Sequence, residues 1–139
     1  MQKTFAQRIA LMNEMYRLPS HEKPTVPVDV VERLKKFKVT LLGEIDEIDE
    51  IVQAAKTGAL QLDIAVSIAD LLGDVIVYCR SEALKYGIPL EEVIDIIMDS
   101  NESKLDAKGN PIYDENGKFL KGPGYWKPEP KIRKILENH

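Results

Sequence analysis

The amino-acid sequence predicts an all-α fold: a helical bundle of four to five helices with a Gly/Pro-rich loop or small hairpin near the C-terminus. Three observations lead there. Apolar residues recur at three- and four-residue steps over most of the chain, the spacing of one helix face. Helix breakers stand between these segments rather than inside them. One stretch alone differs in chemistry: residues 106–130 hold four Gly, four Pro and two Asn.

Residues 3–18 read as a short helix, with Phe5, Ile9, Met12 and Tyr16 in step, and "PSHEKPTVP" breaks it with three prolines. A long helix follows over about 29–56. Asp29 is placed to cap its start and Thr57-Gly58 to stop it. Leu34, Phe37, Leu41, Ile45, Ile48 and Val52 form its apolar stripe. A second long helix over about 63–86 ends at Gly87, a favoured C-cap residue. Pro89 opens the next helix, where Glu91 and Glu92 suit the positive end of the dipole. Its apolar residues Val93, Ile94, Ile97 and Met98 lead into "DSNESKL". "PIYDENGKFL" reads as a small hairpin around Asn116-Gly117, and "KIRKILENH" as a short terminal helix. No internal repeat or low-complexity tract is evident, so a single domain over 1–139 is expected.

Composition narrows the function. At 139 residues, 44% hydrophobic and 30% charged, the chain is globular in character and can bury a core. A net charge of −4 with a pI near 5.3 argues against a nucleic-acid partner, which needs a basic surface. No run approaches the roughly 18 apolar residues of a membrane span. The start is too charged for a signal peptide, and Cys79 stands alone, which fits a reducing, cytoplasmic setting. Cys79 lies inside the apolar "DVIVYCR" and reads as a core thiol. His21 and His139 fall in a proline-rich loop and at the terminus, with no zinc-like spacing.

Chemistry concentrates in "LLGEIDEIDEIVQA", where five acidic side chains fall within seven residues, 44–50. At about 100° per residue, the centre of the apolar stripe lies about 60° from Glu44 and about 120° from Glu47. Asp46 and Asp49 point to the wet side, and Glu50 lies farther out than Glu47. The next helix carries Asp63, Ser67, Asp70, Asp74, Tyr78, Ser81 and Lys85 in one narrow sector, and is otherwise apolar around its girth, which predicts burial. Buried carboxylates at Asp70 and Asp74 require compensation. Salt bridges to Arg33, Lys35 or Lys38, a wet groove at a subunit interface, or a divalent cation shared with Glu44 and Glu47 would each supply it. Four carboxylates at i,i+3 and i,i+4 spacing suit Mg²⁺, a hard ion that prefers oxygen ligands.

The order of "EIDE", "DLLGD", "SNESKL" and "GKFLKGPGYWKPEP" resembles the MazG-type all-α nucleoside triphosphate pyrophosphohydrolases, and within them the branch similar to phosphoribosyl-ATP pyrophosphohydrolase. The resemblance covers about residues 30–130. It implies that Glu44, Glu47, Asp70 and Asp74 are catalytic residues that hold Mg²⁺, with Mn²⁺ as a substitute. It implies that Asn101, Lys104, Lys121 and Tyr125 bind the nucleotide, and that the products are a nucleoside monophosphate and pyrophosphate. It also implies a homodimer or homotetramer. Two departures stand out. Gly43 occupies a position where the family often has a glutamate, and the register Asp46-Glu47 then Glu50 would restore an acidic pair. Glu102 replaces a small or apolar residue.

Hydrolysis of a phosphoanhydride is coherent with these residues: carboxylates with Mg²⁺ neutralise phosphate charge and activate water, and Lys104 and Lys121 add cationic contacts. No P-loop motif is present, and "DENG" lacks the ligand pattern of an EF-hand. Tyr125-Trp126 would stack a base or pin the loop to the body. The 106–130 segment exceeds what a minimal biosynthetic helical core needs, which favours house-cleaning of the nucleotide pool. The alternative is a non-enzymatic helical oligomerisation module whose acidic stripe binds a basic partner.

Overall fold

The computed structural model describes all 139 residues. Five helices and one hairpin follow in order: α1 (Phe5–Met15), α2 (Val30–Lys56), α3 (Gln61–Lys85), α4 (Leu90–Glu102), β1 (Ile112–Tyr113), β2 (Phe119–Leu120) and α5 (Glu129–Glu137). The fold is all-α apart from those two short strands. Two compact units divide the chain, Met1–Ile88 and Pro89–His139.

In the first unit, α1 begins at a capping box. The Thr4 hydroxyl accepts from the Gln7 backbone N–H at 3.1 Å, and the Gln7 side chain accepts from the Thr4 N–H at 2.9 Å, which satisfies two donors that a helix start would otherwise leave bare. Helix α2 starts where expected, but Asp29 makes no capping hydrogen bond. Its carboxylate instead accepts from Arg33 Nε at 2.8 Å, and that guanidinium holds the Asp29 pKa below its ordinary value. Gly58 and Gly87 follow the ends of α2 and α3 with φ of 85° and 65°, the left-handed conformation that closes a helix. At Gly87 the fit is also steric, because a Cβ there would collide with the Lys23 carbonyl. The 19–29 segment is tied to the same helix end. His21 N–H donates to Leu84 O at 3.0 Å, His21 Nδ1 lies 2.7 Å from Lys85 O, and Thr25 N–H donates to Tyr86 O at 2.8 Å.

Helices α1 and α2 both pack on α3. The α1–α3 contact is fastened by polar atoms. Asn13 is fully buried; its carboxamide accepts from Ser81 Oγ at 2.6 Å and donates to the Ser81 carbonyl at 3.3 Å. Burying such an amide is tolerable only because these bonds replace water.

Two expectations about faces need correction. On α2 the residues turned inward are Val30, Arg33, Phe37, Leu41, Glu44, Glu47, Ile51 and Ala54, one stripe at three- and four-residue steps. Leu34, Ile45, Ile48 and Val52 of the predicted stripe remain exposed, Ile45 at 53%. The apolar residues of α2 are spread over two faces, and α3 covers one of them. Helix α3 is likewise not buried around its girth. Its C-terminal half is enclosed at Ser81, Glu82 and Ala83, whereas Leu62, Val66, Leu72 and Ile76 are each more than half exposed. Two neighbouring helices can cover only part of a helix surface.

In the second unit, α4 packs on α5. The hairpin pairs Ile112 with Leu120 and Tyr113 with Phe119, and the latter rings meet edge-on at 5.5 Å. Two loops of the same construction flank β1. In "DAKGN" and "DENGK", the Asp carboxylate (Asp106, Asp114) accepts from the N–H groups two and four residues on, at 2.8 to 2.9 Å. The fourth residue, Gly109 or Gly117, takes φ of 80°. This is a local repeat too short to register as sequence periodicity, built on Asp accepting from its own following backbone. The segment after β2 is pinned to α4. Ser100 Oγ donates to Trp126 O at 2.9 Å, and Trp126 N–H donates to Ser103 Oγ at 3.2 Å.

Candidate functional site

Helices α2 and α3 bring the four predicted carboxylates into one neighbourhood of the first unit. Glu44 is buried, with 8% of its surface exposed. Glu47 and Asp74 are half-buried, and Asp70 is exposed. Glu44 Oε2 is buried without any hydrogen-bond partner. Burial raises the Glu44 pKa, and the negative charges of Glu47, Asp74 and Asp70 raise it further. A buried carboxylate oxygen with no donor, ringed by like charges, is an electrostatically unsatisfied site. Asp46, Asp49 and Glu50 are exposed, as rotation about the helix axis requires.

None of the cations considered as partners is engaged here. Arg33 pairs with Asp29 at 2.8 Å and Lys35 with Glu32 at 3.8 Å, while Lys38 is exposed. In donor type and charge the four carboxylates fit a hard divalent cation. As the side chains stand, no three Asp, Glu, His or Cys groups approach closely enough to hold a metal ion.

The remaining predicted residues all belong to the second unit. Asn101 lies in the last turn of α4 and is exposed; Lys104 follows that helix and is half-buried. The return of the 119–126 segment is fixed by Gly122, whose N–H donates to Lys104 O at 2.6 Å. A Cβ on Gly122 would strike the Lys104 and Leu105 carbonyls, so only glycine permits this approach. Lys121 and Tyr125 meet directly, with the ammonium 4.9 Å from the ring centre. The Trp126 ring is covered by Lys131 Nζ at 3.7 Å. With its backbone bonded to Ser100 and Ser103, Trp126 pins the loop to α4.

Asn13 and Glu82 escaped the sequence reading, and so did the role of Ser81. Asn13 and Ser81 fasten α1 to α3. Glu82 is buried, bridged to Lys85 at 3.1 Å, and accepts from Tyr86 OH at 3.0 Å. Burial and that bond to Glu82 raise the Tyr86 pKa. The available signal was Asn13 in step with Ile9 and Tyr16, a polar residue on an apolar face. His21, in the proline-rich loop and without zinc-like spacing, bonds the end of α3.

No family model matches the sequence, and no curated protein matches it. The class that the helices and hairpin define is the all-α bundle predicted above. Among solved structures, that fold is shared with a protein from Exiguobacterium sp. 255-15 described as a candidate NTP pyrophosphohydrolase. The TM-score is 0.52 at 19% identity, over 99% of this chain and 100% of the other. At that identity the likeness is one of fold.

Proposed function

We propose that this protein is a Mg²⁺-dependent nucleoside triphosphate pyrophosphohydrolase that releases a nucleoside monophosphate and pyrophosphate, and that it serves in nucleotide-pool house-cleaning. The observation that carries the reading is the buried, partnerless Oε2 of Glu44 among three further carboxylates. The name of the Exiguobacterium protein that shares the fold supports the same reaction class. The order of acidic and Asn/Lys motifs along the chain supports it independently.

Glu44, Glu47, Asp70 and Asp74 would hold the ion. When bound, it supplies charge neutralisation of the phosphates and a lowered pKa for water. Glu44, as the most buried of the four, keeps its place through the packing of α2 on α3, so the donor set is anchored to rigid helices rather than loops. Glu47 and Asp74 are half-buried and Asp70 is exposed, so these three remain open to solvent. Lys104 and Lys121 contribute positive charge to the triphosphate, and Asn101 and Tyr125 add contacts to the nucleotide. The cation–π contact of Lys121 with Tyr125 holds the ammonium in place before substrate arrives.

The working unit in this reading is a homodimer or homotetramer. Exposed apolar rows on α2 and α3 support it, because contiguous wet apolar surface favours association. Pyrophosphate release from a panel of canonical and modified nucleoside triphosphates, with and without Mg²⁺, tests the reaction. The expected result is Mg²⁺-dependent release from at least one of them; no release from any nucleotide overturns the reading.

A further inference from the structure

The two loops of like construction that flank β1 differ in one covalent respect. In the first, Asn110 is followed by Pro111; in the second, Asn116 is followed by Gly117. An asparagine carboxamide is open to attack by the backbone nitrogen of the next residue, which closes a succinimide ring. A proline nitrogen has no proton to lose and is already fully substituted, so Asn110 is exempt. Glycine has no side chain to obstruct the approach. The other asparagines precede larger residues: Asn13 and Asn101 precede glutamates, and Asn138 precedes a histidine. Asn13 is also buried and bonded to Ser81, and Asn101 lies within α4, where the following amide belongs to the helix ladder.

The surroundings of Asn116 leave ring closure unobstructed. Asn116, Gly117 and Lys118 are all exposed. The Asn116 backbone N–H donates to Asp114 Oδ1 at 2.9 Å, but its carboxamide bonds to nothing else in the chain. No atom lies within 4 Å of the place a Cβ on Gly117 would take. One bond opposes the attack: the Gly117 N–H donates to the Asp114 carbonyl at 3.1 Å. That bond sits at an exposed loop tip between two-residue strands, where local opening costs little.

We propose that Asn116-Gly117 is a self-modification site, at which the hairpin converts in water to aspartyl and isoaspartyl forms. The Gly117 nitrogen loses its proton and bonds to Asn116 Cγ; the Cγ–Nδ2 bond breaks, and ammonia leaves with that proton. Water then adds to the succinimide. Opening at Cγ restores the original backbone with a carboxylate side chain at position 116. Opening at the backbone carbonyl instead routes the chain through the former side chain and adds a methylene to the main chain.

Both products act on the hairpin. A carboxylate at position 116 follows Asp114 and Glu115, which sets three like charges in a row. The added methylene falls inside the span that Asp114 closes. Its carboxylate accepts from the N–H groups of Asn116 and Lys118, and its own N–H donates to Lys118 O at 2.9 Å. The lengthened backbone therefore loosens the pairing of β1 with β2. None of this rests on the proposed reaction.

Tryptic digestion after incubation in mildly alkaline buffer tests the site, beside a sample digested without incubation. Cleavage after Lys108 and Lys118 gives a peptide, residues 109–118, that carries Asn110 and Asn116 together. Fragment masses should place at least tenfold more acid at position 116 than at 110, and more as pH rises. An isoaspartyl methyltransferase should label the same peptide. Gly117→Ala should slow the conversion at least tenfold, and conversion at the wild-type rate overturns the role of Gly117. Acid at 116 within twofold of that at 110 in the wild-type protein overturns the proposal, whether or not the variant folds. In converted protein, hydrogen exchange at the Asp114 and Lys118 amides should quicken at least tenfold; exchange within twofold of the unconverted protein overturns the loosening.

Discussion

Glu44 carries the sharpest consequence for a single side chain. Burial and three carboxylate neighbours raise its pKa above the ordinary 4.5. The folded state therefore holds this proton more tightly than the unfolded chain does. Its penalty is absent below the unfolded value and grows as pH rises through the folded one. In the presence of a chelator, the melting temperature of Glu44→Gln minus that of wild type should be small near pH 4.5 and increase toward pH 8. A difference that does not change with pH refutes this account of Glu44. Asp70→Asn and Asp74→Asn should abolish Mg²⁺-dependent turnover while leaving the circular dichroism spectrum intact; unchanged activity in both removes them from the proposed site. Gly87→Ala should cost about 1–3 kcal/mol, the scale of a strained left-handed residue, because the new Cβ meets the Lys23 carbonyl as well. Chemical denaturation measures it.

Elements were legible where their signals were local. The ends of α2 and α3 could be read from glycines that the structure places at φ of 85° and 65°, and the hairpin from Asn116-Gly117 between two short apolar runs. What could not be read depends on partners far along the chain. Ser81 meets Asn13 across 68 residues, so neither side chain announces its burial. The face that α2 turns inward was misplaced because Phe37, Leu41 and Ile51 point one way while Leu34, Ile45 and Ile48 point another, and periodicity alone does not rank them. The carboxylates' shared neighbourhood followed from spacing on two helices, whereas the burial of Glu44 in particular needed the packing of α3. Helix α4 and its following turn supply a prediction at this scale. Lys104→Ala should weaken nucleotide binding more than it lowers the melting temperature, since the Gly122 contact uses the Lys104 carbonyl and survives the change. A protein that unfolds instead marks Lys104 as a structural residue.

At the scale of the whole molecule, the exposed rows on α2 and α3 set the expectation for assembly. Burying apolar surface is worth roughly 25 cal/mol per Å², and a symmetric pairing buries equivalent rows twice with one set of residues. Light scattering at micromolar concentration should give the mass of two or four chains rather than 15.7 kDa. Leu72→Glu should shift that mass toward the monomer, and a monomeric wild type that still hydrolyses nucleotides would refute the assembly. The position of Trp126 has an optical consequence. It is the sole tryptophan, fixed between α4 and Lys131 in the second unit, whereas most helical residues lie in the first. Its emission reports on its surroundings at Ser100, Ser103 and Lys131, while far-ultraviolet ellipticity weighs chiefly residues 1–88. Superimposable denaturation curves from the two signals would mean that the protein melts as one cooperative body; separated midpoints would mean that one unit can loosen while the other stays folded.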